Sequence, residues 1–327
     1  PPMMGLPALR QALGVHAARH YGLTYDWQRE IVVTSGGTEA LTASILAFLN
    51  PGDEAVLIEP AYDSYRPIAE AAGATVRTIA LQGPNFALDA DALRRAFTPR
   101  TRLFVLNSPM NPIGKTFTRA ELEAIAALVR THDAVAVCDE VYEHLTFGGR
   151  THIPLATLPG MRERTVRIGS AGKMFSLTGW KVGWAMGDAP LATLVAKAHQ
   201  YITFTTAPAL QTAVAFGLET QSDFPLALTR ALSAKRDRLA AGLVAAGCET
   251  LPCEGTYFLT ARIPEAARAL GDVEFCKAMV KEARVAAIPL SVFYSPDVAP
   301  RDLIRFAFCK SDAVLDEAIA RLKARYA

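Results

Sequence analysis

Ile31-Val32-Val33-Thr34-Ser35-Gly36-Gly37-Thr38-Glu39-Ala40-Leu41 sets how the rest of the chain is read. Ile31, Val32, Val33 and Thr34 are all β-branched, which favours a strand. Two glycines then turn the chain, and Thr38–Leu49 carries a helical pattern. A strand passing through a glycine turn directly into a helix is the repeating unit of an α/β fold. Free N–H groups and the helix dipole at such a turn favour an anion such as a phosphate. The ordinary alternative is a plain glycine turn with Thr38 capping the helix. No GxGxxG is present, so this is not a dinucleotide fingerprint.

The same alternation extends outward. Ala55–Ile58, Val76–Leu81, Arg102–Leu106, Ala134–Cys138 and Val166–Ile168 read as strands. Ala61–Ala72 and Thr118–Arg130 read as helices between them, and Thr118 with Glu121 forms a capping-box signature. The pattern predicts a mostly parallel sheet whose strands are buried on both faces. It changes near residue 208. A long helical stretch runs from Pro208 to Ala246 with a break at Asp223–Pro225, followed by strands at Thr256–Thr260, Ala286–Leu290 and Leu303–Phe308. Ser311–Tyr326 closes as a helix, acidic early and basic late, as the helix dipole prefers. The expected division is a large domain over 1–220 and a smaller α/β domain over 221–327.

Composition narrows the function. The 327 residues are 51% hydrophobic and 20% charged, the profile of a packed globular chain. The net charge is +2 and basic residues form no long blocks, so nothing asks for nucleic acid or a charged membrane surface. No apolar run reaches the roughly 18–20 residues of a spanning helix. The 5 cysteines are odd in number and form no CxxC pair, and the 6 histidines do not gather near them in sequence, so no metal is expected. A reduced cytoplasmic protein is the expectation.

Ligands of open α/β sheets sit beyond the carboxyl ends of the strands, and unusual residues fall there. Ala136-Val137-Cys138-Asp139-Glu140-Val141-Tyr142 is an apolar strand ending in two acids, either a solvated turn or an acid set against a cationic ring nitrogen. Ser170-Ala171-Gly172-Lys173 precedes Gly179-Trp180-Lys181-Val182-Gly183. It is no Walker loop, since Met174 stands where Ser or Thr is needed. By itself Lys173 is an ordinary solvated lysine. Arg305 interrupts the apolar run Leu303–Phe308, and a buried cation needs an anion. That anion is either a neighbouring acid or a substrate carboxylate held by the guanidinium fork.

Taken together and in this order, these elements resemble the class I/II, fold-type I aminotransferases that depend on pyridoxal phosphate (PLP). Asn107-Ser108-Pro109-Met110-Asn111-Pro112-Ile113-Gly114 is similar to the family's NxPxNPTG loop, with Ile113 for the common Thr. Asp139-Glu140-Val141-Tyr142 resembles its DEVY motif, and Ser170 to Gly183 its SxxK…TGWRxG signature, with Lys181 for the common Arg. Glu59–Tyr65, His199–Phe204, Leu251–Phe258 and Ile288–Phe293 are similar to the methionine aminotransferase and kynurenine aminotransferase/glutamine transaminase K branch.

The resemblance implies a fold-type I PLP-transferase. It assigns Lys173 to the Schiff base, Asp139 to the pyridine nitrogen, and Asn111 and Tyr142 to the ring oxygen. Tyr62 would stack on the ring. Gly37, Thr38, Ser170 and Lys181 would bind the phosphate, and Arg305 with Asn111 the substrate carboxylate. The implied reaction moves an amino group between an L-amino acid (methionine, aromatic or kynurenine-like) and a 2-oxo acid. A homodimer is implied too. So is a glycine-bearing segment ahead of Pro1, with a tyrosine that reaches the neighbouring subunit's phosphate. A cysteine-conjugate β-lyase shares this machinery, and a non-catalytic PLP-fold sensing domain shares the fold. Tyr62, Tyr65, Phe204 and Phe293 read either as substrate contacts for an apolar or sulfur-bearing side chain or as core.

Overall fold

In the computed structural model, which describes residues 1–326, two sheets organise the chain. The larger holds β1 (Ile31–Thr34), β2 (Glu54–Glu59), β3 (Thr75–Ala80), β4 (Thr101–Asn107), β5 (Val135–Asp139), β6 (Thr165–Ser170) and β7 (Gly183–Met186). Its 7 strands lie in the order β1-β7-β6-β5-β4-β2-β3. The neighbours from β6 to β3 pair in parallel, whereas β7 is antiparallel to both β6 and β1. The smaller, antiparallel sheet holds β8 (Glu249–Thr250), β9 (Phe258–Arg262), β10 (Ile288–Pro289) and β11 (Leu303–Ala307), in the order β10-β11-β9-β8.

The helices are α1 (Pro7–Tyr21), α2 (Gly37–Phe48), α3 (Tyr65–Ala71), α4 (Ala90–Ala96), α5 (Arg119–Thr131), α6 (Ala171–Met174), α7 (Ala189–Ile202), α8 (Pro208–Thr220), α9 (Phe224–Val244), α10 (Gly271–Ala283) and α11 (Asp312–Tyr326). No helix among the described residues is long and apolar enough to cross a membrane.

Burial on both faces explains the continuous apolar strands. Val56, Ile58, Phe104, Leu106, Ala136 and Cys138 join one core with Leu122, Ile125 and Val129 of α5. The alternate residues Ala55, Leu57, Leu103, Val105 and Val137 join a second core with Leu41 and Ile45 of α2. Successive side chains of a strand point to opposite faces, so both sets are apolar. The predicted capping box forms: Thr118 accepts from the backbone of Glu121, and the Glu121 carboxylate accepts from the backbone of Thr118. A third core joins β9 and β11 to α9, α10 and α11 through Leu239, Phe258, Phe275, Met279, Phe306 and Leu315.

Three differences from the sequence expectation have physical causes. α1 goes unassigned from sequence because its buried face, Leu9, Ala12, Leu13 and Ala17, includes the charged Arg10 and is not set off from the other side, where Val15 is exposed. β7 is only Gly-Trp-Ala-Met, too short for a period, and exists because it pairs on both sides. The predicted strand Ala286–Leu290 shrinks to Ile288–Pro289, since a proline lacks a ladder donor.

β7 also fixes the glycine turn quoted first. A Cβ on Gly183 would stand 2.4 Å from the carbonyl carbon of Gly36 and 2.5 Å from the nitrogen of Gly37. Both neighbours are backbone, so neither yields cheaply. Gly183→Ala is therefore expected to lower stability by about 1–3 kcal/mol or more through overpacking. Urea denaturation measures this, and an unchanged midpoint would show that the turn gives way freely.

Candidate active site

A cavity of about 550 Å³ opens beyond the carboxyl ends of the parallel strands. Asn107, Asp139 and Ser170 are the last residues of β4, β5 and β6, and all line it. All ten site residues expected from sequence border this one space. Their placement follows from strands ending together, which puts residues distant in sequence on one rim.

One end of the cavity is built for an anion. Gly37 and Thr38 open α2, where N–H groups have no helical partner. Gly36, with φ of 86°, lets the chain enter that helix in a conformation closed to other residues. A Cβ there would stand 3.6 Å from the Lys181 Nζ, inside the space the lysine shares with the turn. Lys181 itself holds a left-handed φ of 54°. Ser170 caps α6 by accepting from the Gly172 N–H at 3.2 Å.

Asp139 forms the floor. It is 5% exposed. Its Oδ2 accepts from the Tyr65 hydroxyl at 2.6 Å, and its Oδ1 from the Val141 N–H at 3.4 Å. Burial pushes this carboxyl up to about 6, against the lowering effect of the Tyr65 and Val141 hydrogen bonds and of Lys173. No cation pairs directly with it among the described residues. A carboxylate so placed suits a protonated ring nitrogen.

Lys173 stands on α6 with its Nζ donating to the Tyr257 hydroxyl at 2.7 Å. The ring centroids of Tyr257 and Tyr142 are 5.3 Å and 5.8 Å from that nitrogen. Burial, reinforced by Tyr257, holds the Tyr142 phenol well above the usual range, so it remains an O–H donor at neutral pH. Sequence reasoning did not assign Tyr257 to the site. Its only signal was the run Gly255–Phe258, which carries it from the smaller sheet.

At the far end, Arg305 donates to Asn111 Oδ1 at 2.8 Å and lies 4.0 Å and 5.0 Å over the rings of Phe258 and Phe293. No acid forms a salt bridge with it among the described residues, so the ion-pair alternative is not what the fold builds. Its remaining N–H donors suit a ligand carboxylate. Asn107 supports this end: its Oδ1 accepts from the Asn111 N–H and its Nδ2 donates to the Asp139 carbonyl. The aromatic candidates divide. Tyr62 and Phe293 line the cavity, together with Ile288 and Val292. Tyr65 is buried behind it as the partner of Asp139, and Phe204 is half exposed elsewhere. The donor set therefore fits PLP from end to end: an anion cup, an amine, a buried acid and a free guanidinium.

Known proteins share both the sequence and the fold of this chain. The family model for aminotransferase class I and II matches residues 1–322. The solved N-succinyldiaminopimelate aminotransferase of Mycobacterium tuberculosis superposes with a TM-score of 0.96 at 47% identity, covering 99% of this chain and 85% of that one. The methionine aminotransferase of Escherichia coli (strain K12) is 41% identical over 98% of this chain and 83% of its own length. The human kynurenine–oxoglutarate transaminase 1 is 36% identical, covering 98% and 83%. The chain therefore belongs to the class I and II aminotransferases, and it is a PLP-dependent enzyme that exchanges amino groups between amino acids and 2-oxo acids.

Proposed function

We propose that the amino donor is methionine, an aromatic amino acid or a kynurenine-like one, and that Lys173 is the covalent anchor of the cofactor. The observation that carries this reading is the lining of a single cavity by the Lys173 amine, the Asp139 carboxylate and the Arg305 guanidinium. The wall beside Arg305 is apolar, formed by Ile288, Val292, Phe293 and Phe258, and it suits an apolar or sulfur-bearing side chain.

Bound PLP supplies an electron sink for the charge left when the substrate Cα–H bond breaks. The residues do the rest. Arg305, steadied by Asn111, grips the substrate carboxylate and so sets which Cα bond faces Lys173. Lys173 Nζ takes the Cα proton and delivers it to the neighbouring carbon, a role open only to the neutral amine. Asp139 would keep the ring nitrogen protonated. Tyr142 and Asn111 would hydrogen-bond the ring oxygen, Tyr62 would cover the ring, and Gly37, Thr38, Ser170 and Lys181 would hold the phosphate.

Residues 1–220 would form the cofactor-binding domain and 221–327 the smaller one. A homodimer is supported by the exposed apolar end of α7, where Tyr201 is 85% exposed beside Ile202 and Phe204. The unpaired cysteines support a reducing, cytoplasmic setting.

Lys173→Ala is expected to abolish transamination and the imine absorbance; normal turnover by that variant would remove the assignment. Arg305→Ala should lower kcat/KM by on the order of 100-fold, a loss of about 3 kcal/mol of carboxylate binding and orientation. An unchanged kcat/KM would reject it. Mixing the PLP enzyme with each amino acid in turn and following the imine band should single out methionine, aromatic or kynurenine substrates. Preference for N-succinyldiaminopimelate would overturn the donor class, and release of pyruvate, ammonia and a thiol from cysteine conjugates would indicate a β-lyase.

Asp139 yields a pH test on the cofactor-free protein. Its carboxyl, at about 6, is raised above its unfolded range. Folding therefore favours the protonated form, and the penalty for ionising it grows as pH rises from about 4 through 6 and is complete above. Asp139→Asn removes that penalty. The variant should exceed the parent in stability at pH 8 by on the order of 2–3 kcal/mol, and the two should converge toward pH 4. Urea unfolding across pH measures the gap, and a constant difference would contradict it.

A further inference from the structure

Outside the cofactor cavity, α1 and the loop after β5 bring imidazoles and a carboxylate to one point. His16 and His20 stand one turn apart on α1, and His144 follows Glu143 in the loop that also carries Tyr142. His16 Nε2 is 3.3 Å from His144 Nε2 and 3.5 Å from Glu143 Oε1, and His144 Nε2 is 3.9 Å from that same oxygen. Arg167 holds the other Glu143 oxygen, Oε2, at 3.1 Å, which leaves Oε1 turned toward the imidazoles. His20 packs against the pair, with ring centroids 4.5 Å from His16 and 5.1 Å from His144.

We propose that His16, Glu143 and His144 form a divalent metal site of the Zn²⁺ class, with water as the fourth ligand. A point about 2.1 Å from all three ligand atoms exists at the centre of their triangle, matching the roughly 2.0–2.2 Å bonds of Zn²⁺ to imidazole nitrogen and carboxylate oxygen. The donor set, imidazole with carboxylate, is one that such ions prefer. The close Nε2–Nε2 contact needs one N–H proton between the rings. On metal binding that proton moves to Nδ1 of the same ring, both imidazoles stay neutral, and both Nε2 lone pairs face the ion. Two carboxylates, Glu140 and Glu143, share the one guanidinium of Arg167 at 2.6 Å and 3.1 Å, with the His152 imidazole 3.3 Å from Glu140, so the group favours an added cation. A cavity of about 220 Å³ lined by His16, His20, Gln11 and Arg19 offers a path from solvent. The ion would tie α1 to the loop that carries Tyr142, as a structural clasp rather than a participant in the transfer.

The test uses tag-free PLP enzyme, stripped with chelator and then given Zn²⁺ alone. One equivalent per chain should survive gel filtration and raise Tm. His16→Ala and His144→Asn should each weaken Zn²⁺ binding by about 100-fold or more and remove the Tm shift, while circular dichroism stays unchanged. No stoichiometric binding by the parent, or an undiminished equivalent in the His16→Ala/His144→Asn double variant, overturns the site. Where a variant does not fold, X-ray absorption on the Zn²⁺-loaded parent decides: two imidazoles in the first coordination sphere support the site, and fewer than two reject it.

Discussion

Asp139 is a carboxylate at the end of a strand whose other residues are apolar, and the chain cannot solvate it there. Val135-Ala136-Val137-Cys138 fill the sheet and carry the acid into the interior. An isolated buried charge is costly, so the surroundings must answer it. They do so only partly: a tyrosine hydroxyl and a backbone N–H reach it, and its carboxyl remains raised. The rest of its environment is the cavity itself, which Asp139 lines together with Lys173. The site's logic starts from this incomplete solvation.

The other parts follow the same rule of polar groups left partly unanswered. Arg305 is half buried, stacked between Phe258 and Phe293, and bonded to one amide oxygen. The α2 N-terminus and Lys181 present positive potential to an open space. By contrast, polar residues with structural duties are closed off. Glu39 accepts from the Ser35 backbone and pairs with His199 behind the glycine turn. Glu54 is gripped by Arg100 and Thr98 at the start of β2. The difference between a satisfied ion and an expectant one separates scaffold from site.

The histidine group under α1 has a different character. Its members come from two segments, 16–20 and 143–144, that sequence distance separates widely. Nothing in their spacing announces a ligand set beyond the one-turn interval of His16 and His20. Only the docking of α1 against the loop beyond β5 brings the His16 nitrogen beside the His144 nitrogen and the Glu143 oxygen.

The sequence determined the layered α/β architecture, because continuous apolar strands can be buried only between two helical layers. Ten residues that line the cavity were also legible, not from any one motif, since each alone reads equally as scaffold, but from the resemblance that their joint order carries. The tertiary structure decided what depends on neighbours. β7 became a strand because β1 and β6 both needed a partner, and Tyr65 became a partner of Asp139 instead of a substrate contact because α3 points it inward. Tyr257 reached Lys173 from the smaller sheet, and Arg305 was left without an acid. None of these follows from residue type or period, because each rests on which side chains long-range packing brings within hydrogen-bond reach and which it keeps apart.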